Sequence, residues 1–334
     1  MLDRRGVIAA VLAYSAWGFF PLYWQLLKRV SALETMSHRV IWSLAFYAAI
    51  AAVQTRMGLV SKGLFRQYLS DPKYLKTISI ASGFIAFNWL LYVWAVTHGH
   101  VMETSLGYFI NPLINVAIGS LVFKERLLPL QKLSLAFAFF GVVWLAFDYG
   151  HPPWIALGLA VSFAIYGVMK KTIPGQAIVL SMVETTVLLP FALFGAIAIR
   201  LLAGDAAAAG VPTSDVLGAD VLASTVTVDA VLGSLIQTPI QLTVFEWVLI
   251  IGGGAITGIP LLFFGIAAQR LPFSILGFFQ YLAPTFQFLS AVFFFHEPLE
   301  ASRLAGFSLI WIALGIFLYH LKREQSRPTA LPKK

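Results

Sequence analysis

Long apolar runs alternate with short polar breaks along the whole chain. They lie at about 6–27, 36–54, 77–97, 102–123, 130–147, 154–169, 177–199, 244–268, 273–295 and 302–321. Most are long enough for the roughly 20 residues that a helix needs to cross a hydrocarbon core of about 30 Å. Lipid offers no partner to a backbone N–H or C=O, so each run is predicted to be an α-helix that satisfies its own backbone. The expected fold is an all-α integral membrane protein with ten transmembrane helices.

Charge orients the spans. Ten spans put both termini on one side. With that side in the cytoplasm, only Lys28, Arg29, Arg39, Arg200 and Arg303 among the 23 Lys and Arg residues face outward. Basic residues gather on cytoplasmic loops, so this bias supports both the span count and the orientation. The formal net charge of +8 then reports topology, and nucleic acid drops out as a partner. Between 201 and 242 there is no Lys or Arg, while Asp205, Asp215, Asp220 and Asp229 recur; this segment is expected to be a long periplasmic loop.

The halves repeat. Pro112 aligns with Pro284, and each is followed thirteen residues later by a glutamate, Glu125 or Glu297. The same register pairs Tyr108 with Gln280, Asn115 with Gln287 and Asn88 with Pro260. Five spans per half is an odd number, so the halves, 1–150 and 151–334, are expected to form inverted five-helix repeats. Helix breaks are expected near Pro112, Pro260 and Pro284, because proline removes a backbone donor.

Polar residues in these spans follow helical spacing. Thr104, Tyr108, Asn111 and Asn115 share one helix face, and Gln280 and Gln287 occupy the matching face of the ninth span. Asparagine in hydrocarbon is costly without a partner. Two readings follow: the stripes line a central solute pathway, or they only bond packed helices to one another.

Composition agrees with the pattern: 59% of residues are hydrophobic and mean hydropathy is +0.83. The absence of cysteine removes thiolate chemistry and cysteine-ligated metal. The first run continues to Leu27 without a short signal-peptide core, so it is read as a retained span.

In HRVIWS (38–43), NWLLYVWAV (88–96), SLGYFINPL (105–113) and LGFFQYLAP (276–284) the chain resembles RarD-type permeases, in the EamA group of the drug/metabolite transporter superfamily. The resemblance runs from the first span to the tenth. It implies a multi-pass permease of the bacterial inner (plasma) membrane, built from inverted five-helix halves. It also implies a link by name to chloramphenicol sensitivity, with relatives that export amino acids or other metabolites. The chain departs from the family at Gln25, where other members can carry lysine, and in the length of its 201–242 loop.

Charge at depth marks functional candidates. His38, Arg39, Glu103 and Glu184 are the candidates for coupling or gating. Glu184 is able to carry a proton or to pair with Lys170 or Lys171, and Arg39 to pair with Glu103. Trp17, Trp89, Tyr92, Trp94, Tyr108, Tyr166 and Tyr281 place aromatic rings inside the spans, either as a box for a flat solute or as packing. Gly252, Gly253 and Gly254 allow close helix approach. His98 and His100 form a weak two-ligand pattern, and no metal or other cofactor is expected.

The leading expectation is a secondary transporter moving a small metabolite or drug-like solute. Trp17, Asn88, Trp89, Tyr108, Asn111, Asn115, Gln280, Tyr281 and Gln287 would line its path, with Pro112, Pro260 and Pro284 at helix breaks. The expected partners are the solute, the bilayer and a second copy of the chain in a homodimer. An enzyme is disfavoured because no nucleophile and base converge; a non-transporting scaffold or sensor is the alternative.

Overall fold

The apolar runs fold as helices in a computed structural model that describes residues 3–27, 30, 32–97, 100–149, 152–208, 242–294, 296 and 301–325. Most of the 201–242 loop, with Lys28, Arg29, His98, His151 and Glu297, lies outside the described residues. In chain order the helices are α1 (Arg4–Gly18), α2 (Phe20–Gln25), α3 (Ala32–Arg56), α4 (Leu64–Ser70), α5 (Pro72–Thr97), α6 (Val101–Leu121) and α7 (Pro129–Tyr149). They continue with α8 (Trp154–Thr172), α9 (Ala177–Ala208), α10 (Val244–Arg270), α11 (Phe273–Gln280), α12 (Leu282–Phe293) and α13 (Ala301–Gln325). No strand occurs among the described residues.

Among the described residues, eight helical stretches are long and apolar enough to cross a membrane. Two of the ten expected spans are not among them. One is α6, whose apolar run is diluted by Glu103, Thr104, Asn111 and Asn115. The other is the ninth run, which divides at Tyr281 into α11 and α12.

Proline accounts for only one of the expected breaks. Pro284 falls in the first turn of α12, where it has no N–H to return to the Gln280 carbonyl, and the chain breaks next to that residue. Pro112 and Pro260 do not break their helices; α6 and α10 run through them. Membrane helices tolerate an interior proline when neighbouring groups satisfy the freed backbone. A further break, not expected from proline, separates α1 from α2 at Phe19.

An offset of 172 carries Pro72, Val101 and Pro129, which begin α5, α6 and α7, onto Val244, Phe273 and Ala301, which begin α10, α11 and α13. The register found from two prolines therefore also aligns three helix starts.

The chain divides into two compact units, each drawing on both halves of the sequence. The first comprises Met1–Phe19, Met102–Lys171 and Phe263–Lys334. In it α7 lies along α13. Ser134 Oγ donates to the Ala313 carbonyl at 2.7 Å, and a Cβ on Gly141 would sit 2.9 Å from the Gly306 carbonyl. Under the 172 offset Ser134 corresponds to Gly306 and Gly141 to Ala313, so the two contacts are exchanged copies of each other. α1 packs against α11 and α12, where Gly18 leaves room for Phe286.

The second unit comprises Phe20–Val101 and Thr172–Leu262. In it α3 lies along α9 and meets α10. A Cβ on Gly254 would collide with the Trp42 backbone, and one on Gly258 would press on Phe46 at 2.9 Å. Two small residues one turn apart let the helices touch backbone to side chain, which is the role read for the 252–254 glycines.

Candidate functional site

In the first unit, α6 and α11 meet through amides. Gly277 makes the approach possible, since a Cβ there would lie 2.9 Å from the Pro112 carbonyl and 3.0 Å from Asn115 Cβ. Asn111 Nδ2 donates to the Ala160 carbonyl of α8. A backbone carbonyl only accepts, so this bond fixes the orientation of the Asn111 amide and turns its Oδ1 toward Asn115. Asn115 Nδ2 donates to that oxygen at 3.0 Å and to Gln280 Oε1 at 2.7 Å. Both hydrogens of Asn115 are thus spent. Its Oδ1 remains an acceptor with no hydrogen-bond partner among the described residues, in a side chain only 1% exposed.

Other buried polar atoms in this unit share that condition. The hydroxyls of Tyr14 and Tyr281 have no hydrogen-bond partner among the described residues, and both residues are buried. Buried polar groups are nearly always satisfied by protein or water, so such orphans need an explanation. Tyr281 sits at the α11–α12 break, and Tyr14 packs edge-on against Trp17 at 5.5 Å. Trp17 also contacts Phe163 and Phe264, each at 5.7 Å, while its carbonyl accepts a bond from Gln287 Nε2 at 3.3 Å.

The N-terminal end of α11 is held by a carboxylate. Glu125 Oε1 accepts from the Phe273 N–H at 2.6 Å, and Oε2 accepts from the Ser274 N–H at 2.8 Å and from Ser274 Oγ at 2.6 Å. A negative charge on unpaired amides at a helix start is favourable. Lys171 does the reverse at the end of α10, donating to the Leu271 carbonyl at 2.6 Å and to the Ala268 carbonyl at 3.4 Å. These bonds join one of the two lysines considered for Glu184 to a helix C-terminus.

In the second unit Arg39 is the focus. Its guanidinium lies 4.9 Å from the Trp24 ring and 4.9 Å from the Trp89 ring, and Nε donates to Thr257 Oγ1 at 3.0 Å. Cation–π contact keeps such a charge tolerable away from bulk water. One and two turns further along α3, Ser43 Oγ donates to the Gly254 carbonyl at 3.0 Å and Tyr47 OH to the Gly258 carbonyl at 3.1 Å. His38 meets the Trp247 ring edge-on at 5.4 Å. Glu184 is buried in α9.

The structure thus gathers Asn111, Asn115 and Gln280 into one network and joins Trp17 to Gln287. It places Arg39 on Trp89. Tyr108 and Asn88 are half-buried on α6 and α5, and Glu103 is buried in the first turn of α6. Sequence reasoning missed Trp24 and Thr257, which hold Arg39, and the buried Tyr14. Nothing in their local sequence separates them from packing residues. His100 stacks on Trp94 at 5.7 Å, and no group of three or more His, Cys, Asp or Glu suited to a metal occurs among the described residues.

The profile of the EamA-like transporter family matches residues 4–147. An uncharacterized transporter of Pseudomonas aeruginosa is 38% identical over 324 residues, covering 97% of this chain and 96% of that protein. Protein RarD of Streptomyces exfoliatus is 39% identical over 329 residues, covering 98% of this chain and 92% of that protein. A solved crystal structure with 17% sequence identity superposes with a TM-score of 0.62 over 95% of this chain and 98% of its own, a likeness of fold.

Proposed function

The chain belongs to the EamA-like transporter family as a RarD-type permease, and on that footing we propose that it is a secondary transporter for a small solute, working by alternating access. Ten transmembrane helices form two inverted five-helix repeats, with both termini in the cytoplasm. Three helix starts related by one offset, and the exchanged contacts between α7 and α13, support that reading.

The observation that carries the proposal is the amide relay, in which Asn115 spends both hydrogens on Asn111 and Gln280 and keeps an acceptor without a hydrogen-bond partner among the described residues. Helix packing alone is served by satisfied amides. An orphan oxygen beside a helix break fits a point where a passing solute, bearing an N–H or O–H donor, docks. Tyr281 and Tyr14 offer hydroxyls, and Trp17 supplies a flat apolar wall. Within the first unit, Tyr108 and Gln287 extend the path. His38, Arg39, Glu103 and Glu184 are the groups for coupling or gating.

The test is flux of an amino-acid panel and chloramphenicol by purified protein in proteoliposomes, with and without an imposed proton gradient. Movement of at least one compound above protein-free vesicles is expected. A folded, reconstituted protein that moves none of them contradicts the proposal and favours a scaffold.

A further inference from the structure

The polar break between α3 and α5 holds a helix that the transport reading does not use. Both flanking helices qualify as spans, Leu33–Arg56 and Pro72–Tyr92, so residues 57–71 must lie where membrane meets water. Arg56, Lys62, Arg66, Lys73 and Lys76 are all exposed there, and Asp71 is the sole acid between 56 and 76. That acid is engaged, its Oδ1 accepting from the Lys73 N–H at 2.9 Å to cap α5. Met57 is 67% exposed and Leu59 is 60% exposed beside the cations. Gly58 and Gly63, at φ 72° and 84°, turn the chain tightly around them.

This basic segment is pinned in place. Tyr68, the buried residue of α4, donates to the Pro174 carbonyl at 3.4 Å and packs on Gly175, where any side chain would displace it. Tyr74 braces the Tyr68 ring edge-on at 5.0 Å, and Gln176 Nε2 donates to the Leu59 carbonyl at 3.0 Å. With Tyr68 held inward, Arg66, Gln67 and Ser70 are exposed.

We propose that residues 56–76 form a docking surface for the headgroups of anionic phospholipids in the leaflet they border. Fixed cations within a few residues of two span ends sit inside the range over which a charged leaflet attracts them. The exposed Met57 and Leu59 decide between lipid and a soluble polyanion. A nucleic acid or free phosphate would leave them in water, whereas the headgroup region receives apolar and cationic side chains together. Lipid docking then braces the α8–α9 turn through Tyr68.

The experiment uses the full chain in nanodiscs of phosphatidylcholine alone or mixed with phosphatidylglycerol, reading thermal unfolding and amide exchange of 57–71. Transport is not measured, so the outcome is independent of the transport reading. The wild type is expected to gain thermal stability, and slower exchange at 57–71, with phosphatidylglycerol. A K62Q/R66Q/K73Q/K76Q variant should lose most of both effects, and a K124Q/R126Q/K132Q control should keep them. Inorganic phosphate added to phosphatidylcholine discs should shift neither readout. The proposal is overturned if phosphatidylglycerol does not stabilise the wild type, if the patch variant keeps the full shift, if the control loses as much, or if phosphate reproduces the effect. Should the fourfold variant fail to fold, Lys62→Gln and Arg66→Gln singly carry the same test, each reducing the shift.

Discussion

Asn115 donates its side-chain amide to Gln280 across 2.7 Å, tying the middle of α6 to the last residue of α11 beside the helix break at Tyr281. The bond joins a site in the first half of the chain to one in the second, at the place where the orphan Asn115 oxygen and Tyr281 hydroxyl lie.

Asn115→Leu removes the donor from two buried acceptors, Asn111 Oδ1 and Gln280 Oε1. Leaving them unmet should destabilise the protein by about 1–3 kcal/mol. Combined with Gln280→Leu, a double-mutant cycle on unfolding should return a coupling of roughly 0.6–1.7 kcal/mol. A coupling indistinguishable from zero would mean that the contact does not stabilise the folded state.

Glu125 should act as a helix cap. Glu125→Ala should lower stability by about 1–2 kcal/mol, since three donors lose their acceptor. Glu125→Gln, whose amide oxygen still accepts, should fall between it and the wild type. Unfolding of the three proteins in one detergent checks the order, and equal stability of the alanine variant and the wild type would refute it.

Gly254 faces the backbone of Trp42, whereas Gly315 has open space around it. Gly254→Ala should therefore cost about 1–3 kcal/mol by overpacking the α3–α10 contact. Gly315→Ala should be close to neutral. Thermal unfolding of the pair distinguishes a steric cause from a general intolerance of alanine.

Asp3 gives a pH effect of known sign. The Gly6 backbone N–H, then the Arg270 guanidinium and the Arg5 N–H, hold its carboxyl below the usual value. A depressed carboxyl contributes stability above the unfolded-state value near 3.8, and that contribution is lost as pH falls through the folded-state value. The carboxyl and its Arg270 partner are open to solvent, so the effect is small. Asp3→Asn should flatten the acid limb of the stability profile below about pH 5 and leave the neutral region nearly parallel to the wild type. A steeper acid limb in the variant would reverse the assignment.

The all-helical fold and most of the apolar stretches were legible, because lipid imposes one rule on every residue of a run. The short helix α4 was not, because its one buried residue, Tyr68, owes its burial to Gly175, more than a hundred residues away. The three prolines looked alike in sequence. Sequence shows that a donor is missing but not whether neighbours bridge the gap, so only Pro284 proved to sit at a break. The repeat paired Asn115 with Gln287, yet Asn115 bonds Gln280. A repeat identifies equivalent positions, while contacts across it join positions that are not equivalent, as Ser134 with Ala313 also does. Arg39 was legible as a charge within an apolar run, but its setting needed Trp24, Trp89 and Thr257 from three separate segments.

If the amide relay borders a solute path and does not serve packing alone, position 115 is open to water from one side of the membrane. The chain has no cysteine, so one introduced thiol is unique. The decisive measurement compares Asn115→Cys with Ser134→Cys, the latter at the α7–α13 contact, using a membrane-impermeant methanethiosulfonate on right-side-out and inverted vesicles. Alternating access predicts that the thiol at position 115 reacts from at least one side while the thiol at position 134 reacts from neither. A thiol at 115 as inert as that at 134 from both sides would contradict the pathway and leave the relay as helix packing.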